Sequence, residues 1–213
     1  MKKFELTSET KINIFGKKLF RIKALISFGN VEAGETGGWV EKEENVNQSG
    51  DAWVSGNAWV SGNARVSGNA RVFGNARVFG NAEVSGDAWV SGNVWVSGNA
   101  WVSGDARVSG NAMVFGNAEV SGDARVSGNA EVSGNAEVSG NADYTTIRGF
   151  GTQFRTTTFF RCKDKQVKVS CGCFYGTIPE FREQVKNTRK GKIAEEYLMI
   201  ADLMEKHFAE EAK

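Results

Sequence analysis

The sequence is poor in the residues that most often carry acid–base and metal chemistry. Its 213 residues contain one histidine, three cysteines and one proline, and the formal net charge of +1 favours neither nucleic acid nor a membrane surface as a partner. No apolar run approaches membrane-spanning length, and Met1-Lys2-Lys3 does not lead into the apolar core of a signal peptide. Three cysteines without a secretion signal favour a reducing, cytoplasmic location.

What the sequence does contain is a six-residue repeat, which fills residues 50–145 sixteen times without an insertion. Each unit has Gly, then Asn or Asp, Ala, a variable residue, Val, and finally Ser or Phe. Ala and Val alternate with outward positions, as in a strand with one buried face, while Gly and Asn tolerate the left-handed backbone of a corner. Each unit is therefore predicted to form a strand of about four residues and a corner, with successive turns stacked around one core.

The corner residues indicate how many units close one turn. Four corners carry Asp instead of Asn, and the separations between Asp51, Asp87, Asp105 and Asp123 are all multiples of eighteen. All four therefore fall in one of three columns when three units make a turn. The pattern predicts a triangular prism with three hexapeptides per coil.

The unit Val66-Ser67-Gly68-Asn69-Ala70-Arg71 resembles the hexapeptide repeat of left-handed parallel β-helices. The left hand is implied by this resemblance, because periodicity alone does not determine it. The segments Phe28–Gly34 and Gly37–Val40 are similar to segments that precede the repeats in bacterial and prophage proteins with Gly-Asn-Ala-x-Val repeats, some described as acyltransferase-like. The resemblance implies a mostly β, left-handed parallel β-helix, and it implies architecture more than activity.

Residues 1–49 are predicted to be an N-terminal β cap with an irregular first turn, since Val40 and Val46 are already six residues apart. A hairpin is expected between 11–15 and 19–26, with Phe20, Ile22, Ala24 and Ile26 on its buried face. This block should cover the open strand edges of the first coil.

Residues 146–213 are predicted to be a C-terminal α+β cap that follows the solenoid of residues 50–145. Segments 157–162 and 167–171 indicate a hairpin, and Thr177, Pro179 and Glu180 mark the start of a helix. A second helix is expected from Lys192 to Phe208, because its apolar residues recur at helical spacing.

The variable position predicts what each face of the prism presents to its surroundings. Two columns alternate Trp and Arg at one strand spacing, which suits a guanidinium resting on an indole. One interpretation is that these ladders only join neighbouring coils; the other is that they form a contact surface. The candidate surface residues are Trp53, Trp59, Arg71, Arg77, Trp89, Trp95, Trp101, Arg107, Met113, Phe73, Phe79 and Phe115.

A second group of residues could bind a metal. Cys171-Gly172-Cys173, a hairpin-partner Cys162 and His207 have the composition of a Cys₃His zinc site, although Cys-x-Cys is a weaker signal than paired Cys-x-x-Cys. The alternative, which we favour, is that the cysteines are buried structural thiols. No cofactor is expected.

Two functions compete at this point. Acyltransferases with this type of repeat use acyl-CoA and commonly need a histidine base and an extruded loop, yet residues 50–145 contain no histidine and no insertion. A non-enzymatic, rigid binding protein is therefore favoured, phage or mobile-element encoded and acting on a host protein or sequestering a small ligand, with the acyltransferase-like enzyme as the alternative. The partner would be a protein or small ligand, and the Trp and Arg faces also predict a homodimer or homotrimer.

Overall fold

The computed structural model describes residues 2–209; Met1 of the predicted N-terminal block and residues 210–213 of the predicted C-terminal block lie outside the described residues. The repeats form a parallel β-solenoid, as expected, with fifteen short strands. These are β4 (Trp53–Val54), β5 (Trp59–Val60), β6 (Arg65–Val66), β7 (Arg71–Val72), β8 (Arg77–Val78), β9 (Glu83–Val84), β10 (Trp89–Val90), β11 (Trp95–Val96), β12 (Trp101–Val102), β13 (Arg107–Val108), β14 (Met113–Val114), β15 (Glu119–Val120), β16 (Arg125–Val126), β17 (Glu131–Val132) and β18 (Glu137–Val138).

Strand pairing confirms three hexapeptides per coil. Every third strand is a neighbour, so that β4, β7, β10, β13 and β16 form one sheet and β6, β9, β12, β15 and β18 form another. The third column, β5, β8, β11, β14 and β17, continues into the N-terminal strands as part of an eight-stranded sheet. The solenoid is thus a three-sided prism, and the left hand implied by the resemblance stays a prediction.

The repeated Ala and Val residues form the axial core, and each inward side chain from Ala52 to Val138 is fully buried. Fifteen consecutive corner glycines, from Gly50 to Gly134, have φ values between +55° and +81°, a region that glycine enters at little cost. Because the chain bends at each Gly-Asn corner, the strands are two residues long instead of the expected four. Bonds such as Ser55 N–H to Val72 O (2.9 Å) continue the ladder beyond each strand.

The sixteenth repeat does not form a further side of the prism, contrary to the sequence prediction. Gly140 lacks the positive φ of the preceding corner glycines, and Ala142 is exposed where every earlier repeat alanine is buried. Tyr144 begins the first strand of the C-terminal sheet. Asn141 and Asp143 instead accept hydrogen bonds from the last coil, as described below.

The N-terminal block contains β1 (Phe4–Ile12), β2 (Lys18–Ala24), β3 (Thr36–Val40) and a 3₁₀ helix (Glu43–Asn45). The first two strands form the expected antiparallel hairpin, and β3 pairs with β5 in parallel. Val46 forms a parallel bridge with Val66 of the first coil. Ile22 and Ala24 are buried as predicted, but Phe20 and Ile26 are only partly buried.

Leu19, on the other face of the hairpin, is fully buried against Trp39 and Trp59. Both faces of the hairpin are therefore partly covered, because its tip bends over one side of the prism. The alternation of apolar residues in the sequence indicated only one buried face.

The C-terminal block is an antiparallel sheet of four strands followed by two helices. Its elements are β19 (Tyr144–Phe150), β20 (Arg155–Arg161), β21 (Val167–Cys171), β22 (Phe174–Thr177), α1 (Ile178–Thr188) and α2 (Gly191–Phe208). The predicted hairpin and both helices are confirmed, including a capping box between Thr177 and Glu180. Phe160 and Cys162 join the solenoid core, whereas Phe159 packs with the helices.

Hydrogen bonds in the solenoid have one direction, which makes its two ends chemically different. Backbone N–H groups donate to the carbonyls of the next coil, as in Trp53 N–H to Ala70 O (3.0 Å). Carbonyls of the first coil therefore face the N-terminal end without partners from the ladder, and N–H groups of the last coil face the C-terminal end. Open edges of this kind would recruit other chains.

The N-terminal end is closed by hydrogen-bond donors. The buried Lys3 Nζ donates to Gly50 O (3.1 Å) and Ala52 O (2.8 Å), and Asn45 Nδ2 donates to Ala64 O (2.8 Å). On the third side, Trp39 N–H donates to Ala58 O (3.0 Å) and Glu41 N–H donates to Val60 O (3.0 Å). Each of the three sides of the first coil thus receives its own donor.

The C-terminal end is closed by acceptors. Arg125 N–H donates to Asn141 Oδ1 (3.0 Å) and Glu131 N–H donates to Thr158 Oγ1 (3.0 Å). On the third side, the Asp143 carboxylate accepts from the backbone N–H groups after β18, at 2.8–3.0 Å. Asn141 and Asp143 therefore belong to the closure of the last coil, although the sequence assigned them to a sixteenth repeat.

Candidate binding surface

The register of the strands defines three faces by their outward variable residues. Face 1 carries Trp53, Arg71, Trp89, Arg107 and Arg125; face 2 carries Trp59, Arg77, Trp95, Met113 and Glu131; face 3 carries Arg65, Glu83, Trp101, Glu119 and Glu137. These columns agree with the sequence prediction except that Asp143 does not continue face 1. The prism therefore presents three chemically distinct sides.

Trp53 and Trp59 are not available as surface, which corrects the sequence interpretation. Trp53 is 4% exposed and lies edge-on to Phe4 and Phe28, with ring centroids 6.2 and 5.4 Å away. Trp59 is 5% exposed and packs against Leu19 and Phe15. Strand alternation places both indoles outside the axial core, but the N-terminal block then folds over the first coil and covers them.

The predicted Arg–Trp ladders form in two places. The Arg77 guanidinium lies 5.0 Å from a Trp95 ring centroid, and that of Arg107 lies 5.4 Å from Trp89. Such contacts stabilise by roughly 0.5–1 kcal/mol when exposed. Arg71 is half-buried between Trp53 and Trp89 in the register of face 1. The ladders therefore join neighbouring coils, as the structural interpretation expected.

Aromatic contacts continue these ladders along faces 1 and 2. Phe73 lies edge-on to Trp89, and Phe79 lies edge-on to Trp95, each at 5.8 Å between ring centroids. Phe115 is half-buried in the same outward column as Phe79. Trp89, Trp101 and Met113 remain 43%, 51% and 38% exposed, one on each face.

Face 2 carries a continuous series of apolar side chains that begins at the N-terminal hairpin. Phe15, at the tip of the N-terminal hairpin, contacts Phe79 at 5.0 Å between ring centroids, and Phe79 leads to Trp95 and on to Met113 in the next coil. We call Phe15, Phe79, Trp95, Met113 and Phe115 the face 2 strip. The hairpin tip also exposes Ile12 and Ile14, at 65% and 58%.

The sequence interpretation did not include Phe15, Ile12 or Ile14 in the surface. The only signal in the sequence was a cluster of apolar residues next to the Gly16 turn, a position where apolar side chains are uncommon. That the tip lies on face 2 follows from the pairing of β2 with β3 and of β3 with β5, a contact between distant parts of the chain.

The corners that flank face 2 are uncharged. Stacked amides run along both of them, as in Asn75 to Asn93 (3.0 Å) and Asn81 to Asn99 (3.0 Å). The remaining corner, between faces 3 and 1, instead carries the stacked carboxylates of Asp87, Asp105 and Asp123. Face 2 therefore lacks the charged borders of its neighbours, and depletion of charge is typical of the centre of a protein interface.

The candidate zinc residues are not brought together, which corrects that alternative. Cys171 pairs with Thr157 across the β20–β21 hairpin, whereas Cys162 lies beyond the other end of β20, roughly 17 Å away along the strand. Cys173 is exposed, and His207 is exposed beside Phe208. Within residues 2–209, no three His, Cys, Asp or Glu side chains are placed to hold a metal.

Cys162 instead has a structural position, as the buried-thiol interpretation expected for it. It packs at the end of the axial core and bridges Ala136 of the last coil. Burial, with a smaller effect from Asp164, raises the pKa of its thiol to about 11, so the thiol is protonated at neutral pH. Cys171 is half-buried and accepts a hydrogen bond from Thr157 Oγ1 at 3.1 Å.

The fold and the surface together define the chain as a capped parallel β-solenoid with an aromatic outer strip. Residues 58–154, just under half of the chain, match the family model Bactofilin, which is described as polymer-forming and cytoskeletal. The matched segment contains fourteen of the fifteen solenoid strands and the start of the C-terminal block. The chain matches none of the curated proteins compared with it.

This match changes the expectation that came from the repeat. The sequence suggested likeness to proteins described as acyltransferase-like, and the match does not support that alternative. The family that this segment matches is described as polymer-forming. Among the described residues, neither helix has the length and apolar character needed to cross a bilayer.

Proposed function

We propose that this chain is a structural protein that associates with copies of itself through its rigid β-solenoid. The observation that carries the proposal is the match of residues 58–154, most of the solenoid, to a family described as polymer-forming. The expectation of a homodimer or homotrimer becomes, in this proposal, the first step of a larger assembly.

The geometry supports a mechanical role. Each coil is tied to the next by backbone hydrogen bonds on all three sides and by side-chain amide ladders at two corners. A side of the prism therefore keeps its shape when it meets another molecule, which reduces the entropy lost on association. Both ends are closed by their own donors and acceptors, so association through the faces or the caps requires no unfolding.

Other elements of the sequence interpretation have no support from these observations. These are the phage or mobile-element origin, action on a host protein, and sequestration of a small ligand. The acyltransferase-like alternative is likewise unsupported, and a cytoplasmic location stays a prediction.

Sedimentation velocity of the purified full-length protein over a wide concentration range tests the proposal, with negative-stain electron microscopy of the most concentrated sample. We expect the mean sedimentation coefficient to rise with concentration and regular assemblies to appear in the images. A single monomeric species at every concentration and ionic strength would contradict the proposal.

A further inference from the structure

Face 2 has charges at its two ends and none between them. Arg77 lies at the N-terminal end, Glu131 lies at the C-terminal end, and Trp95 and Met113 occupy the two coils between. Lys11 and Arg21 add positive charge beside Arg77, and burial together with these two guanidiniums lowers the pKa of Lys11. The face is therefore positive at one end, apolar in the middle and negative at the other end.

This arrangement is complementary to itself when a second copy lies against it in the opposite direction. A two-fold axis that passes between the Trp95 and Met113 coils places Trp95 of each copy against Met113 of the other. The same operation places Arg77 of each copy against Glu131 of the other, so both ion pairs form at once. Two-fold contacts use one patch twice in this way.

The outward residues that follow the variable position are also complementary about this two-fold axis. Ser97 and Phe115 follow Trp95 and Met113 in the chain and occupy the same two coils. Antiparallel docking places the large Phe115 ring of each copy over the small Ser97 of the other. Such alternation of large and small side chains is what close packing across an interface needs.

The other two faces are not self-complementary. Antiparallel docking of face 1 over its central coils places Arg71 against Arg125. Docking of face 3 about Trp101 pairs Arg65 with Glu137 at the ends of the face, but it places Glu83 against Glu119 in both coils next to the centre. Like charges opposite each other oppose association. Face 3 is also engaged by the C-terminal block, since Lys163 forms an ion pair with Glu119 at 2.5 Å.

We infer that a second copy of this chain docks antiparallel on face 2, with Arg77 of each copy paired to Glu131 of the other around a centre of Trp95, Met113 and Phe115. The inference rests on the proposed function and names the surface that the first association step uses. The occupant is a copy of the same chain because the charge order on this face matches its own reverse.

The test uses charge reversal in the full-length protein. Arg77→Glu places a carboxylate against Glu131 in both pairs, and Glu131→Arg places a guanidinium against Arg77 in both pairs. We expect each variant alone to raise the dissociation constant of the first association step about tenfold or more. The double variant Arg77→Glu/Glu131→Arg should return it close to the wild-type value.

Mixing the two single variants tests the direction of docking. In an antiparallel pair of Arg77→Glu chains, the introduced carboxylate of each copy meets the unchanged Glu131 of the other. When one chain carries Arg77→Glu and the other carries Glu131→Arg, the introduced carboxylate meets the introduced guanidinium, and the two unchanged side chains also form an ion pair. The mixture should therefore form heterodimers when neither variant forms homodimers.

Sedimentation velocity measures the association of each variant and of the mixture, and circular dichroism melting checks folding. The matched control is Arg65→Glu, which makes the same charge reversal on face 3. This control should associate as the wild type does.

The outcomes separate the two proposals. Absence of any wild-type association overturns the proposed function, and the face 2 inference with it. Wild-type association that neither single variant weakens overturns face 2 docking alone. If both variants weaken association but neither the double variant nor the mixture restores it, antiparallel pairing is wrong.

Discussion

At the scale of single residues, Lys3 is the clearest case of a charged side chain used to close a repeat structure. Its ammonium group is almost fully buried and donates to two carbonyls of the first coil. Replacement by Met keeps the length of the side chain and removes the donor, so the carbonyls of Gly50 and Ala52 lose their partner. An unsatisfied buried acceptor costs about 1–3 kcal/mol.

We therefore expect Lys3→Met to lower the free energy of unfolding by about 1–3 kcal/mol, measured by urea titration. The neighbouring Lys2 is a matched control, because it is exposed and makes an ion pair with Glu43 at 2.7 Å. Lys2→Met should change stability by less than about 1 kcal/mol. Equal losses in the two variants would show that the ammonium cap has no special role.

The stability difference between wild type and Lys3→Met should also depend on pH. Burial, partly offset by Asp51, lowers the pKa of Lys3 from 10.5 to about 8. Between these pH values the unfolded chain binds more protons than the folded chain at this residue, so the contribution of Lys3 to stability rises with pH. The stability difference between wild type and Lys3→Met should grow from pH 8 to pH 10; a flat difference would contradict the assigned burial.

At the scale of elements, the corner is the feature on which the repeat depends. A Cβ at Gly86 would lie 2.8 Å from the backbone nitrogen of Gly104 in the next coil, whereas a Cβ at Gly128 would meet nothing within 4 Å. The two glycines have nearly the same φ, +66° and +69°. Substitution of these two glycines therefore distinguishes the free-energy cost of the left-handed backbone from the cost of a clash with the stacked coil.

We expect Gly128→Ala to cost about 1–2 kcal/mol, the penalty for a non-glycine residue in this conformation. Gly86→Ala should cost distinctly more, because backbone atoms of the adjacent coil must also move. Chemical denaturation of the two variants measures the difference. If Gly128→Ala proves as costly as Gly86→Ala, stacking does not limit the corner and backbone conformation alone explains the glycines.

Some elements were visible in the sequence and others were not. The capping box at Thr177 and the apolar stripe of α2 are local signals, and both helices form where they predict. Strand β19 was missed because its start overlaps a repeat-like segment, and β22 because four residues carry too little pattern. Both strands exist because neighbouring strands pair with them, which is a tertiary effect.

At the scale of the whole molecule, the two caps determine which contacts are open to other copies. Without the C-terminal block, the last coil would lose Thr158 as an acceptor and the cover supplied by Phe160 and Cys162. A chain that ends after Asp143 should therefore associate through its exposed end or aggregate. Light scattering measures this, and a soluble monomeric truncation would contradict the assigned role of the cap.

A two-fold pair on face 2 is a closed contact, since each copy uses the whole patch. A polymer would need a second contact elsewhere, and such a contact could use the exposed Trp89 on face 1 or Trp101 on face 3. Faces with different chemistry allow these contacts to be distinct. The variable position of the repeat is where this difference is encoded.

The sequence by itself determined the solenoid: its period, its three-sided coil, its inward Ala and Val and the identity of the three faces. These follow from local rules. Alternation along a strand determines which side chains point inward, and the repeat period determines which residues stack in one column. Only the tertiary structure decided that Trp53 and Trp59 are covered, that Phe15 extends face 2, and that Asn141 and Asp143 close the last coil. Each of these depends on contacts between segments far apart in the chain, and no local pattern specifies which surface a distant segment will cover.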